Sequence, residues 1–301
     1  WNIHPAFTDG DGNDYANGGW DREIPGIWVA KFEASSSNTS ATNGGGDVTT
    51  LNVKVLPNVT SWRSIGITNM FNNCLNMNKT GNIYGIPTNA ITHQTKNTEW
   101  AAVAYLAQSR YGRNGEEVTI NNSSTYITGN AGDTIDATQN AGVTNAYDTE
   151  KGMLASTTGN IYGIYDMNGG ADEIVAASLE VNISTMYPNI DWKFIDTYFG
   201  EGTAGDVYEL EKNANKYGDA IYEVSIQGNT GNNGNGWNGD GTSAFSTITS
   251  SGTSTSTCIM KRGNASDRNV SAGIYAFMGV GNTSGNYAAG YLSFRPTIII
   301  E

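Results

Sequence analysis

The side chains able to do covalent or metal chemistry are few. Two cysteines, Cys74 and Cys258, and two histidines, His4 and His93, occur in 301 residues. Two thiols exclude a disulfide framework and any four-thiolate metal site. One bridge between them has no support in the sequence, and two buried free thiols are the expected state. Two histidines without a cysteine pair remove most zinc and Cys/His nucleophile schemes. His93, in NAITHQTKN, is expected as a solvated loop residue. Carboxylates are plentiful, so composition leaves room for a glycosidase-like pair, yet no spacing sets two of them across a bond. Asp9, Asp11 and Asn13 alternate as in a calcium loop, but the twelfth position is Trp20, where a bidentate Glu is needed.

The other chemistry open to this chain is contact. From Cys258 to Ile300 two strand-like ends, CIMKRG and YLSFRPTIII, bracket a run of Gly, Ser, Asn, Tyr and Ala that contains one short apolar segment, AGIYAFM. Tyrosine among small polar residues makes adaptable contact surface at low entropy cost. The residues expected on display are Asn264, Ser266, Asp267, Arg268, Asn269, Ser271, Tyr275, Phe277, Met278, Val280, Asn282, Thr283, Asn286, Tyr287 and Tyr291. The alternative is a loop solvated for solubility with its aromatics in the core; the density of Tyr, Phe and Met favours a contact surface. Ile274 and Leu292 are expected in the core.

Composition bounds the partners. Charged residues are 15%, Gly numbers 38, and the net charge is −13, which argues against nucleic acid or an anionic membrane as main partner. Residues 258–301 carry a net of +2, so the rest carries −15. No run of eighteen apolar residues occurs, so no membrane-spanning helix is expected. A start at Trp1 suggests a processed product or a piece of something longer.

The elements that must position the contact segment are short. Residues 8–23 read as a loop, IWVAKFEA (27–34) as an alternating strand, 35–47 as a Ser/Asn/Gly linker and LNVKVLP (51–57) as a second strand. Ser61 is a plausible N-cap for a helix to about Met77, with Ile67, Met70, Phe71 and Cys74 on one face. A second helix opens at Asn97 or Thr98 and ends near Gly112, with Trp100, Val103, Ala104 and Ala107 as its stripe. Residues 113–157 are turn-rich, and 159–178 read as a Gly turn, an apolar strand and an acidic turn. The heptapeptide TGNIYGI occurs at 80–86 and 158–164, too few copies for a solenoid and suited to two similar turns. A helix is expected around Tyr208–Lys216. Residues 228–257 are a polar tract in which Trp237 and Phe245 are expected to anchor. Glu99 and Trp100 read as helix opening and core anchor. Arg295 reads as a buried partner for a carboxylate.

Taken in order, five segments carry a resemblance: PNVTSWRSI (57–65), KNTEWAAVAYLA (96–107), GIYDMNGGADE (163–173), KRGN (261–264) and SFRP (293–296). From about residue 55 to 300 the chain resembles the formylglycine-generating-enzyme-like branch of the C-type lectin fold. More narrowly, it looks like the variable proteins of diversity-generating retroelements, whose C-terminal segment is rewritten at adenine-rich codons on a fixed frame. The resemblance implies an α+β, C-type-lectin-like fold with two helices, short antiparallel strands and many ordered loops. Residues 1–54 would pack on it as an N-terminal loop and strands, and 55–301 would form the domain, with a displayed segment at 258–295. The frame would be Arg262, Gly263, Ala272, Gly273, Phe294 and Arg295. The implied function is non-enzymatic binding of a protein or glycan on another cell or virion, by a protein of a cell or virion surface. The alternatives are a metal-dependent oxidase or hydrolase on the same fold, or a structural pilus or phage-tail component. The branch's oxidase needs two nearby thiols for copper, and its sulfoxide-forming relatives need three histidines; neither set is present. No cofactor is implied, apart from structural calcium at Asp166 and Glu173, where Gly170 replaces an amide ligand; the spacing of the Asp9 loop is the other calcium candidate. The departures from the pattern are Gly263–Asn264 in place of Gly–Gly, and Gly170 and Asp172 in the acidic turn.

Overall fold

The computed structural model describes residues 3–8, 20, 22–140, 142, 145–178, 194–197, 218, 220, 258–267, 272–281 and 287–300. The expected helix at 208–216, the anchors Trp237 and Phe245, and the Asp9 loop lie outside them. So do Arg268, Asn269, Ser271, Asn282, Thr283 and Asn286, together with the side chains of Cys258, Phe277 and Met278.

The architecture is α+β. Its centre is a mixed sheet of β5 (Asp172–Ser178), β6 (Asp196–Thr197), β7 (Cys258–Gly263), β8 (Gly273–Gly281) and β9 (Leu292–Phe294), in the order β6-β5-β7-β8 with β9 parallel to β5. Both faces are covered by helices. Ile174, Ala176, Ile259, Leu292 and Phe294 pack with α1 (Ile67–Leu75) through Ile67, Met70, Phe71 and Cys74. Val175, Ala177, Met260 and Ile274 pack with α2 (Asn97–Gln108) through Trp100, Val103, Ala104 and Ala107. Side chains alternate across a strand, so β5 is buried at every position: one parity serves each helix. Burial of each large side chain contributes about 1.5–3 kcal/mol. Cys74 is a free buried thiol, as expected.

A second sheet joins the chain's ends. β1 (Trp28–Val29) pairs antiparallel with β10 (Pro296–Ile299), which pairs with β4 (Ile91–Gln94). A short ladder joins β2 (Ser35–Ser36) to β3 (Val53–Lys54). The strand expected at 27–34 is therefore only two residues of ladder, and Trp28 is 69% exposed. Beyond Val29 the chain bends at Lys31 and Phe32, and its hydrogen bonds go to several partners in turn: Ala30 N–H to Pro296 O, Tyr165 N–H to Lys31 O, and Ala34 N–H to Phe294 O.

Three further expectations need correction. The first helix starts at Ile67, not after Ser61. Residues 61–64 are held as an extended connector by Trp62 N–H on Ala34 O and Ser61 N–H on Tyr126 O, and Ser64 takes a left-handed φ of 55°. The second helix starts at Asn97 as expected but ends at Gln108. His93 is wholly buried on β4, its Nε2 2.8 Å from the Glu99 carboxylate. Glu99 is then doubly used, since it also accepts the Lys96 backbone N–H and closes the first turn of α2. The two TGNIYGI copies do form like turns: Asn82 Oδ1 accepts from Tyr84 N–H at 3.0 Å, and Asn160 Oδ1 from Tyr162 N–H at 2.9 Å.

Candidate ligand-binding surface

The C-terminal segment is tied down through its backbone. Ser64 N–H donates to Ala289 O, and Ile67 N–H at the start of α1 donates to Tyr287 O. Asp172 N–H donates to Tyr291 O at 2.8 Å. The Arg63 guanidinium reaches both Gly290 O and Thr42 O. Residues 287–291 thus lie over α1 and β5 as an irregular stretch with its main chain committed to the frame.

The tyrosines of that stretch turn outward. Tyr291 is 37% exposed, Tyr287 is half-buried against the α1 core, and their hydroxyls are 3.0 Å apart. A cation supports each side of the surface. Lys261 Nζ lies 5.5 Å from the centre of the Tyr291 ring and is paired with Asp172. Arg63 stacks at 4.1 Å on the ring of Tyr126, which takes a left-handed φ of 57°. Exposed Asp267 is near enough to raise the pKa of the Tyr126 hydroxyl, after burial as the larger cause; Arg63 opposes both. Tyr126, Tyr291, Tyr287 and Asp267 therefore form one polar and aromatic surface, with buried Arg63 and Lys261 beneath it. Ring–cation contacts of this kind contribute about 0.5–2 kcal/mol each.

The displayed set divides. Asp267, Tyr287 and Tyr291 reach the surface, and Val280 is half-buried, packed against the α1 core. Three expectations of display are wrong. Tyr275 is 3% exposed, packs edge-on to Tyr105 at 5.4 Å and donates to Gln108 Oε1 on α2. Ser266 is fully buried and accepts from Gln139 Nε2. Asn264 is 6% exposed and holds the left-handed turn that follows Gly263. For Tyr275 the cause is a bulge between β7 and β8. Arg262 pairs with Phe277, yet the next residue, Gly263, pairs with Gly273, so Ile274, Tyr275 and Ala276 are extra on one strand. The extra residues turn inward, where Trp100 Nε1 donates to Ile274 O at 2.7 Å and Arg262 Nη1 to Tyr275 O at 3.1 Å. Gly263 is required there: its φ is +79°, and a Cβ would lie 3.3 Å from Met167 O.

Beneath this surface lies a buried ionic cluster. Arg295 donates to both oxygens of Glu173, and also to Tyr165 O and Ala30 O. Asp166 accepts from Asn121 Nδ2, Gly129 N–H and Glu33 N–H, and Glu33 accepts from Ala171 N–H. Three carboxylates thus surround one guanidinium. Burial, with Asp166 and Glu173 adding repulsion, pushes Glu33 well above the usual carboxylate range. Burial raises Glu173 to about 7 against the pull of Arg295. The oxygens of Asp166 and Glu173 are turned to N–H donors. Among the described residues no three His, Cys, Asp or Glu side chains are grouped to hold a metal.

Arg63 and Tyr126 were not legible as site residues. Arg63 sits in a segment that reads as helix start, and Tyr126 in a tract of turns; only their stacking joins them. No family model matches this chain, and no curated protein matches it in sequence.

Proposed function

We propose that this chain is a non-enzymatic ligand-binding protein of a cell or virion surface, on a C-type-lectin-like frame of the formylglycine-generating-enzyme-like branch. It recognises a protein or glycan through Tyr126, Asp267, Tyr287 and Tyr291. One observation carries the reading: a backbone pinned by Arg63, Ser64 and Ile67 presents tyrosines outward above two cations. Rings already ordered in the free protein lose little entropy on binding. The five motifs of the sequence support the frame, and they support its membership among the variable proteins of diversity-generating retroelements.

The test is display of the full chain against arrays of glycans and extracellular proteins, repeated with Tyr126→Ala, Tyr287→Ala and Tyr291→Ala. Captured ligands should be lost in the variants while the Tm falls by no more than about 4 °C. Ligands that survive all three substitutions would move the site elsewhere, and stoichiometric copper or iron in the purified protein would favour an oxidase. Sibling genes supply a second check. Their differences should gather at outward positions of 264–291 and spare Tyr275; an even spread along the chain would favour a structural pilus or tail component.

A further inference from the structure

Neutral polar side chains converge on a cavity at the other end of α1 from the tyrosines. Ile67, the first residue of α1, donates to Tyr287 O, whereas Asn73, Asn76 and Met77 at its other end line the cavity. Nine residues at 1.5 Å each put about 13 Å of helix between the two places. The cavity, about 270 Å³, is a cleft open to solvent, flanked by residues 49–53 and by the first TGNIYGI copy. That volume is just below the range of drug-sized ligand sites, which run from about 300 Å³ upward, and so suits a smaller ligand.

Two of the lining asparagines are committed to the fold. Asn82 commits its whole amide to its own turn, donating to Lys79 O and Ile86 O and accepting from Tyr84 and Ile86 N–H. Asn73 donates to Val48 O. Exposed Thr49, Thr50, Asn52 and Thr80, with half-buried Asn76, make no side-chain hydrogen bond among the described residues and are open to a ligand in exchange for water. Opposite them is an apolar wall. Met77 and Val53 are buried, and the Tyr84 ring is fixed by its hydroxyl on Val53 O at 2.9 Å. Burial pushes that hydroxyl to about 12, so it stays a donor across ordinary pH. Ile83 stands 58% exposed at the same wall.

Charge narrows the ligand. Among the described residues no carboxylate lines the cavity, so a cation has no counter-charge there, and the C-terminal end of α1 carries the negative end of the helix dipole, which disfavours an anion. Exposed Lys79 is the only charged residue among the described lining. Amides and hydroxyls both donate and accept, as alcohols do. We infer that this cavity binds a neutral polyhydroxylated ligand of monosaccharide size, with its hydroxyls on Asn52, Asn76 and the threonines and its C–H face on Tyr84. The site is independent of the tyrosine surface.

Saturation-transfer NMR on the full chain tests it, with a panel of neutral hexoses and N-acetylhexosamines, their carboxylated counterparts, and oligosaccharides ending in each neutral sugar. At least one neutral sugar should bind. Asn76→Ala and Asn52→Ala should each weaken it tenfold or more at unchanged Tm, and Tyr291→Ala should leave it unchanged. Asn52 is on an exposed loop, so its variant keeps the test open if Asn76→Ala misfolds. Equal binding of free sugar and oligosaccharide would identify a free-sugar site, and a tenfold gain for the oligosaccharide a site for a glycan terminus. The inference fails if no neutral sugar binds, if carboxylated sugars bind equally well, if both asparagine variants bind as the parent does, or if Tyr291→Ala abolishes binding.

Discussion

Tyr275 and Tyr291 belong to one Tyr-rich segment, and the fold puts them to opposite uses. Tyr275 lies in the bulge of β8, faces α2 and is 3% exposed; Tyr291 lies where the chain re-enters the sheet and is 37% exposed. Both have a hydroxyl partner, Gln108 for one and Tyr287 for the other. The difference teaches that composition identifies a stretch able to make contacts, whereas strand register decides whether the contacts are made with the protein itself or with something outside.

The largest effects should come from the frame on which both tyrosines depend. Arg295→Ala leaves Glu173 buried without its guanidinium, and loss of one partner of a buried pair costs about 3–5 kcal/mol. Phe294→Ala opens a cavity between β9 and α1 at a similar cost of about 3–5 kcal/mol. Chemical denaturation of either variant checks this; a loss under 1 kcal/mol would mean that the frame is not what holds residues 287–291.

Tyr275→Ala should cost about 3 kcal/mol, as for a large core residue. Tyr275→Phe should cost only about 1 kcal/mol, for the hydrogen bond to Gln108. If Tyr275→Ala is neutral, the contrast with Tyr291 disappears and Tyr275 returns to the displayed set.

A pH titration of stability probes the layer beneath the surface. Glu33 and Glu173 have folded pKa values above the reference of 4.5, Glu173 at about 7. Above pH 4.5 the folded protein holds protons that the unfolded chain releases, so the contribution of Glu173 is present near pH 4.5 and is lost as pH rises through about 7, and that of Glu33 declines in the same direction. The Tm should therefore fall from pH 5 to pH 7.5. Glu33→Gln, which mimics the protonated side chain, should flatten the fall, and an unchanged slope would show that Glu33 is ionised in the fold.

The smallest stability effects belong to the surface itself. Tyr291→Ala should stay within about 0.5 kcal/mol, and half-buried Tyr287→Ala should cost about 1 kcal/mol. Thermal melts distinguish these from Tyr275→Ala; equal losses at positions 275 and 291 would make both core residues.

Much of the frame was legible before any coordinates. The stripes of both helices, the anchors Trp100 and Phe294, and the need of Arg295 for a carboxylate follow from apolar periodicity and from the cost of burying a lone charge. Local signals failed where a local pattern had a distant partner. Ser61 looks like a helix cap, but the N–H groups of residues 61 and 62 are spent on Tyr126 O and Ala34 O. His93 looks like a loop residue, but β10 and Glu99 bury it.

By itself the sequence determined which chemistry is missing and which segments can pack. Two cysteines and two histidines limit the ligands, and the period of apolar residues sets the two helix faces, because both properties belong to residue type and near spacing. The tertiary structure alone decided which tyrosines face outward. A bulge of three residues and a guanidinium reaching from residue 63 to residue 290 are pairings between distant parts of the chain, and no local pattern encodes a pairing.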